Sequence, residues 1–146
     1  MNNLRFSTAI HILVLLDFFN DRWLTSEFIS GSINVNAVVI RKELSSLKKA
    51  ELIESKQGKE GGCKLAKKAE DIFLSDIYLA IQNNHLISKL NQPNPNCISG
   101  NQMNKNLGNL FQDVEVELLN KLSKMSLKDF SNQFKNKKMR VVLVGA

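Results

Sequence analysis

The chain has 146 residues, a net charge of +6 and 43% hydrophobic residues, which bounds it to one modest core with an extension. No apolar run approaches the roughly 20 residues a membrane helix needs, and the start of the chain lacks the basic and apolar segments of a secretory leader, so a cytoplasmic protein without membrane association is expected. Two cysteines, Cys63 and Cys97, without a spacing pattern exclude a disulfide scaffold and agree with a reducing compartment.

The segment from Arg5 to Asn20 is apolar on nearly every side, with Phe6, Ile10, Ile12, Leu13, Leu16, Phe18 and Phe19, and such a helix is predicted to be buried. His11 lies within it. With His85 and two distant cysteines as the other soft donors, no zinc-type ligand set is available, so His11 is expected to be a packed histidine and no metal or cofactor is expected. Trp23 and Leu24 are expected to pin the following chain against this helix.

Thr25 to Leu65 carries the strongest pattern, TSEFISGSINVNAVVIRKELSSLKKAELIESKQGKEGGCKL. Thr25 is predicted to cap a short helix through Phe28 to Ser30, with Gly31 supplying a turn and Asn36 capping a second helix that ends near Ala50. In that second helix Ala37, Ile40, Leu44 and Leu47 recur at three- and four-residue spacing and share an inward face. Val38, Arg41, Lys42, Ser45 and Lys49 share the opposite face. They offer cations, a hydroxyl and a methyl-bearing side chain, the groups that meet phosphates, base acceptors and thymine methyls in a major groove. After Glu51, the Leu52-Ile53 strand, the Gly58 to Gly62 turn and Cys63-Lys64-Leu65 predict a two-stranded hairpin. A hairpin after a helix-turn-helix is a winged helix, a fold that pairs with double-stranded DNA.

In the wing, Gly58, Gly61 and Gly62 allow positive φ and close backbone approach, and Lys56 and Lys59 flank the tip. A glycine-rich nucleotide loop is excluded, because neither the dinucleotide spacing nor a Gly-Lys-Ser/Thr ending is present. The expected DNA-binding set is therefore Asn36, Val38, Arg41, Lys42, Ser45, Lys48 and Lys49 on the major-groove side, with Lys56, Lys59, Gly61 and Gly62 in the wing. Asn36 has the second role of helix cap. Charge supports the set: from Arg41 to Lys68 nine basic residues face four acidic ones, a surplus of five out of the chain's six. Phosphate attraction calls for that concentration, whereas a solvated surface interleaves its signs.

Beyond the wing, Ser75 or Asp76 is predicted to start a helix seated by Ile77, Leu79, Ala80 and Ile81. Asn83 to Asn106 holds both prolines and many asparagines and is predicted to be an irregular loop, long enough to carry a function. From Asn106 to Met125, the residues Leu107, Phe111, Val114, Leu118, Leu122 and Met125 step by four, three, four, four and three, a coiled-coil-like seam that predicts dimerisation. Ser126 caps a further short helix with Leu127, Phe130 and Phe134 on one side. The end, KNKKMRVVLVGA, is basic and then apolar. The fold expected is mainly α with a small β-hairpin: a winged helix-turn-helix over 1–83, a sensor loop over 84–106, and a dimerisation helix and tail over 107–146.

Several stretches together carry a resemblance. Ser-Thr-Ala-Ile-His-Ile-Leu near the start, Leu-Lys-Lys-Ala-Glu-Leu-Ile, Ser-Lys-Gln-Gly-Lys-Glu-Gly-Gly with its following Leu, and Leu-Ser-Asp-Ile-Tyr-Leu-Ala-Ile-Gln at Leu74 to Gln82 are similar to the Rrf-two family of bacterial winged-helix regulators. The resemblance covers most of the chain. It implies a homodimeric, sequence-specific DNA-binding regulator, usually a repressor, whose near-palindromic operator is released or bound on a signal received in the loop before the long helix. Many relatives place three cysteines in that loop for an iron-sulfur cluster. Here only Cys97 is available, so the three-cysteine site is absent and the resemblance is to the branch that lacks it. Cys97 is open to two readings, a redox-sensing thiol near a helix start or a surface cysteine without function. A small-molecule signal is the other option. Two alternatives to the thiol-switched repressor stand beside it: a ligand-responsive regulator of the same fold, and a winged-helix protein-protein module with a basic face for an acidic partner. No paired carboxylates or nucleophile with a base form a catalytic constellation, so an enzyme is not expected.

Overall fold

A computed structural model describes residues 4–82 and 94–133. Most of the expected sensor loop, His85, Phe134 and the basic-apolar tail lie outside the described residues. The fold is mainly helical with one antiparallel hairpin. In order come α1 (Leu4–Phe18), α2 (Ser26–Ile33), α3 (Ala37–Lys49), β1 (Ile53–Lys56), β2 (Gly62–Leu65), a single 3₁₀ turn (Ala69–Asp71), α4 (Leu74–Ile81), α5 (Ile98–Leu122) and α6 (Leu127–Asn132).

Helix α1 is the centre of the core. Ile12, Leu13 and Leu16 are sealed from solvent, and around them close Ile29 from α2, Ile40 and Leu47 from α3, Ile72, and Ile77 from α4. Each such side chain contributes about 1.5–3 kcal/mol by leaving water. Edge-to-face ring pairs extend the packing outward, Phe6 on Tyr78 at 5.5 Å and Phe19 on Phe28 at 5.4 Å between centroids. His11 departs from expectation. It lies with Leu4 and Ser7 on the one strip of α1 that faces solvent, because residues three and four apart share a side of a helix.

The helix-turn-helix forms where predicted, but its turn is made differently. Thr25 caps α2 by accepting the Phe28 N–H at 3.1 Å. Helix α2 then runs through Gly31, and the chain reverses at Asn34, in the left-handed region at φ 58°. Asn adopts that conformation readily, so glycine was not required there. Helix α3 ends similarly at Glu51, φ 63°, with the Glu51 N–H bonded to the Lys48 carbonyl at 2.9 Å and the Leu52 N–H to the Leu47 carbonyl at 3.1 Å. Those two bonds satisfy carbonyls that the helix end would leave open.

The hairpin pairs Ile53 with Leu65 through Lys56 with Gly62. Leu24 adds a third, one-residue strand on the free side of β2: its N–H donates to the Cys63 carbonyl at 3.0 Å, and the Cys63 N–H donates back at 2.7 Å. Leu24 therefore anchors the wing to the core, while Trp23 remains half-buried on the wing's outer face.

Helix α4 packs through Leu74, Ile77, Tyr78 and Ile81, an inward stripe that leaves Leu79 exposed instead of seating the helix. Helix α5 starts at Ile98, so residues 98–106 are helical where a loop was predicted. The Cys97 side chain caps it by accepting the Gly100 N–H at 3.3 Å, two residues after Pro95. Asparagine richness lowered helix propensity there, but propensity is a weak prior against a cap and an uninterrupted run. After α5 the chain returns to the core. The Leu74 N–H donates to the Met125 carbonyl at 3.0 Å, the Leu127 N–H to the Ile72 carbonyl at 2.6 Å, and Leu127 is fully buried.

Candidate nucleic-acid interface

Helix α3 meets the core through Ile40, Leu44 and Leu47, while Ala37 is half-buried at its start. The opposite face is open. Val38, Arg41, Lys42, Ser45, Lys48 and Lys49 are all exposed, Val38 at 66% of its surface. Asn36 is exposed as well, yet its side-chain oxygen accepts the Val38 N–H at 2.8 Å and so caps the helix. Its cap function and a contact at the amino end of the helix are compatible, because only one carboxamide atom is occupied. Arg41 reaches across to Glu27 on α2 at 3.5 Å with both side chains exposed, an interaction weak enough to exchange for a phosphate or base edge.

Beneath this face lies a contact that sequence reading missed. Glu43, one of the four acids between Arg41 and Lys68, is 1% exposed, and its Oε1 accepts a 2.8 Å charge-assisted bond from Arg5 Nε on α1. Its Oε2 has no hydrogen-bond partner among the described residues. The pair fixes the rotation of α3 on α1, and with it the direction of the basic face. It also removes one of the four acids from the surface charge of this region. Thus the outward surplus is larger than the linear sequence suggests. The only earlier sign was the placement of Glu43 between Ile40 and Leu47 on the inward side.

The wing is built around absent side chains. A Cβ on Gly61 would stand 2.1 Å from the Lys56 carbonyl oxygen, and one on Gly62, at φ 148°, would stand 2.4 Å from the Leu24 carbonyl oxygen. Both glycines are accordingly demanded by the hairpin and its junction with Leu24. Gly61 is buried. Lys56 and Lys59 are exposed, and the Lys56 and Lys64 ammonium groups lie over the Trp23 ring at 5.9 and 5.2 Å from its centroid. Trp23 thereby gives two wing lysines a common resting place, a cation–π arrangement worth about 0.5–1 kcal/mol when exposed. Cys63, on the inner face of the same strand, is buried and its thiol is pushed up by that burial.

Helix α5 contrasts with every other long element in burying no residue across 25 positions. The predicted seam divides. Leu122 and Met125 pack on the chain's own core, Leu107, Phe111 and Leu118 are half-buried, and Val114 is exposed. Met103 at 53% and Leu110 at 55% exposure extend the apolar stripe, two residues that the seam did not include. Cys97 is exposed at the head of this helix. The Gly100 N–H bond, followed by the Ser99 hydroxyl 3.7 Å from Sγ, holds its pKa below the ordinary thiol value.

Residues 3–133 match the Rrf2 (Rrf-two) family, described as an iron-dependent transcriptional regulator. A Bacillus subtilis protein assigned as an HTH-type transcriptional regulator, YwnA, is 38% identical over 133 residues, spanning 90% of this chain and 98% of that protein. A crystal structure of a protein assigned as DNA-binding superposes with a TM-score of 0.71 at 36% identity, covering 86% of this chain and 97% of the other. A transcriptional regulator structure from Lactobacillus plantarum shares the fold, with a TM-score of 0.78 at 23% identity and coverage of 96% and 95%. Iron held by three cysteines does not fit this sequence. It has two, one buried in β2 and one exposed before α5, and the described residues form no group of three or more metal donors.

Proposed function

Because the chain belongs to the Rrf2 family of transcriptional regulators, we propose that it binds operator DNA as a homodimer and represses by occupying promoter sequence. The observation that carries the reading is the exposed face of α3, with Val38, Arg41, Lys42, Ser45 and Lys49 free of the core, beside a wing tipped by Lys56 and Lys59. A helix with one apolar side docked and the other cationic is what a major groove accepts, and lysines beside it reach phosphates. Gly61 and Gly62 let the wing turn tightly enough to lie along the backbone. Lys48 sits at the edge of the same face and Asn36 at its amino end.

The homodimer rests on α5. Its exposed Met103, Leu110 and Val114, with Leu107, Phe111 and Leu118 beside them, form a stripe that the other described residues leave uncovered. A second copy of the same helix covers such a stripe with itself, and a two-fold axis would present two α3 helices to half-sites about one DNA turn apart. Cys97 opens that helix, so oxidation there would act where the proposed dimer forms; its exposure and lowered pKa support a thiol signal over an inert cysteine.

Titration of reduced protein against the DNA upstream of its own coding region, at two salt concentrations and again after mild oxidation, tests the reading. Specific binding that weakens with salt is expected, because each phosphate contact releases counterions. Arg41→Ala is expected to weaken it by about 1–3 kcal/mol with the dimer intact. Binding by that variant equal to the parent's would overturn the face assignment, and no specific binding at all would favour a basic protein-protein module. Cys97→Ser is expected to bind like the reduced parent and to ignore oxidant; a persisting response would move the signal to Cys63 or to a ligand.

A further inference from the structure

The end of α1, the end of β2 with the segment that follows it, and the start of α6 line a half-open cavity of about 400 Å³. Lys64, Lys67, Lys68 and Lys128 line it, against Asp17 and Glu70. Asp17 is not available to balance them. It is buried, accepts the Ser131 hydroxyl at 3.1 Å and lies 3.8 Å from Lys128 Nζ, so it is matched within the fold. Lys67 and Lys68 are exposed and have no carboxylate within ion-pair distance among the described residues, while Lys64 holds its ammonium over the Trp23 ring and its charge also acts on the Asp21 carboxylate. Lys67 and Lys68 thus converge on one concave space against Glu70, with Lys64 at its edge and its ammonium turned to Trp23, and a concave, partly apolar wall focuses their potential. Leu65 and Ala69 supply that wall.

We propose that this cavity binds a small organic polyanion, one carrying two or more carboxylate or phosphate groups on a short carbon skeleton. The volume lies at the lower end of the roughly 300–1,000 Å³ that small-molecule sites occupy, which excludes large cofactors. Strongly hydrated lysines suit compact charged groups as point partners. The site also has a physical route to the wing. Lys64 belongs to β2, lines the cavity, and holds its ammonium over Trp23 on the wing's outer face, so an anion that draws Lys64 inward removes one of the two cations resting on Trp23.

Trp23, the single tryptophan of the chain, reports occupancy directly. Citrate and inorganic pyrophosphate are titrated separately into DNA-free protein at constant ionic strength set with potassium chloride, with Trp23 fluorescence followed. A saturable change is expected with at least one of them. Lys67→Gln combined with Lys68→Gln should weaken it by roughly tenfold or more, since two of the converging charges are removed. Lys105→Gln combined with Lys124→Gln, which subtracts the same charge at exposed positions outside the cavity, should leave the isotherm unchanged. Citrate alone succeeding assigns carboxylates, and pyrophosphate alone assigns phosphates. A linear response to both anions overturns the site, as does equal weakening in the two double variants, which would mean net charge and not the cavity. None of these readouts requires DNA binding, so the site and the operator reading fail separately.

Discussion

The winged core and helix α5 are built from similar apolar side chains and use them in opposite ways. In the core, α1 alone contributes six consecutive buried residues, Ile12 through Asp17, and every neighbouring helix closes on it. Helix α5 is longer than any of these elements and buries nothing completely. An isolated amphipathic helix gains little from propensity and depends on packing of its apolar face. The core is therefore complete within one chain, whereas α5 keeps apolar surface that a second chain can remove from water. If α5 is the dimer helix proposed above, stability and assembly are expected to break separately along most of its length, up to Leu122 and Met125, which pack on the core.

The largest effects are expected in the core. Leu47→Ala, at a fully buried position of α3, should lower unfolding stability by about 2–5 kcal/mol, measured by denaturant titration. Arg5→Ala should cost a comparable ~3–5 kcal/mol, because it strands the Glu43 carboxylate in the interior without its charge partner. Glu43→Gln should cost less, since the group left behind, Arg5, reaches solvent at 26% exposure. If Arg5→Ala and Glu43→Gln prove equally mild, the buried pair does not set the position of α3.

An intermediate effect is expected on α5. Leu110→Glu should shift the sedimentation equilibrium strongly toward monomer while leaving the midpoint of thermal unfolding, measured in dilute protein, within a few degrees of the parent's. A charge placed in a desolvated apolar interface is costly, but at an exposed position of a monomer it is close to neutral. Loss of the folded core together with the dimer would show that the two regions are not independent.

The winged helix was legible because its signals are local: Thr25 and Asn36 as caps, the spacing of Ile40, Leu44 and Leu47, and the glycines after Gln57. What could not be read depended on tertiary context. Glu51 and Asn34 hold left-handed turns at which sequence rules point first to glycine. Glu43 is charged and buried because Arg5 sits 38 residues away in sequence. The start of α5 was hidden by asparagines and prolines, although the Cys97 cap was within the predicted segment. Along α5, periodicity found the apolar stripe but could not tell that Leu122 and Met125 face their own chain while Met103 and Leu110 face outward. A helical wheel gives the stripe and not what lies against it. The same limit held for the charged face of α3, where the wheel located Arg41, Lys42 and Ser45 but said nothing of the Arg5 contact that orients them.

The smallest expected effect compares the two regions through their cysteines. The thiolate is the species that alkylates, so rate follows pKa and access together. Burial pushes the Cys63 thiol up, with the Lys48 charge opposing only in part, and the side chain belongs to the buried core while its backbone is bridged to Leu24. Cys97 is exposed, and its Gly100 N–H and Ser99 hydroxyl contacts stabilise the thiolate and lower its pKa. Native protein treated with iodoacetamide between pH 6.5 and 9 should therefore gain a single adduct, at Cys97. As pH falls, that rate should decline later than the rate of a Cys97-containing unfolded peptide, because a depressed pKa keeps thiolate present below the ordinary thiol range. Ser99→Ala should move the decline slightly upward in pH, toward the peptide's. Labelling of Cys63 should appear only with unfolding of the core, and should track it. A native adduct at Cys63 forming as fast as at Cys97 would mean that the wing opens from Leu24 far more readily than a closed core allows.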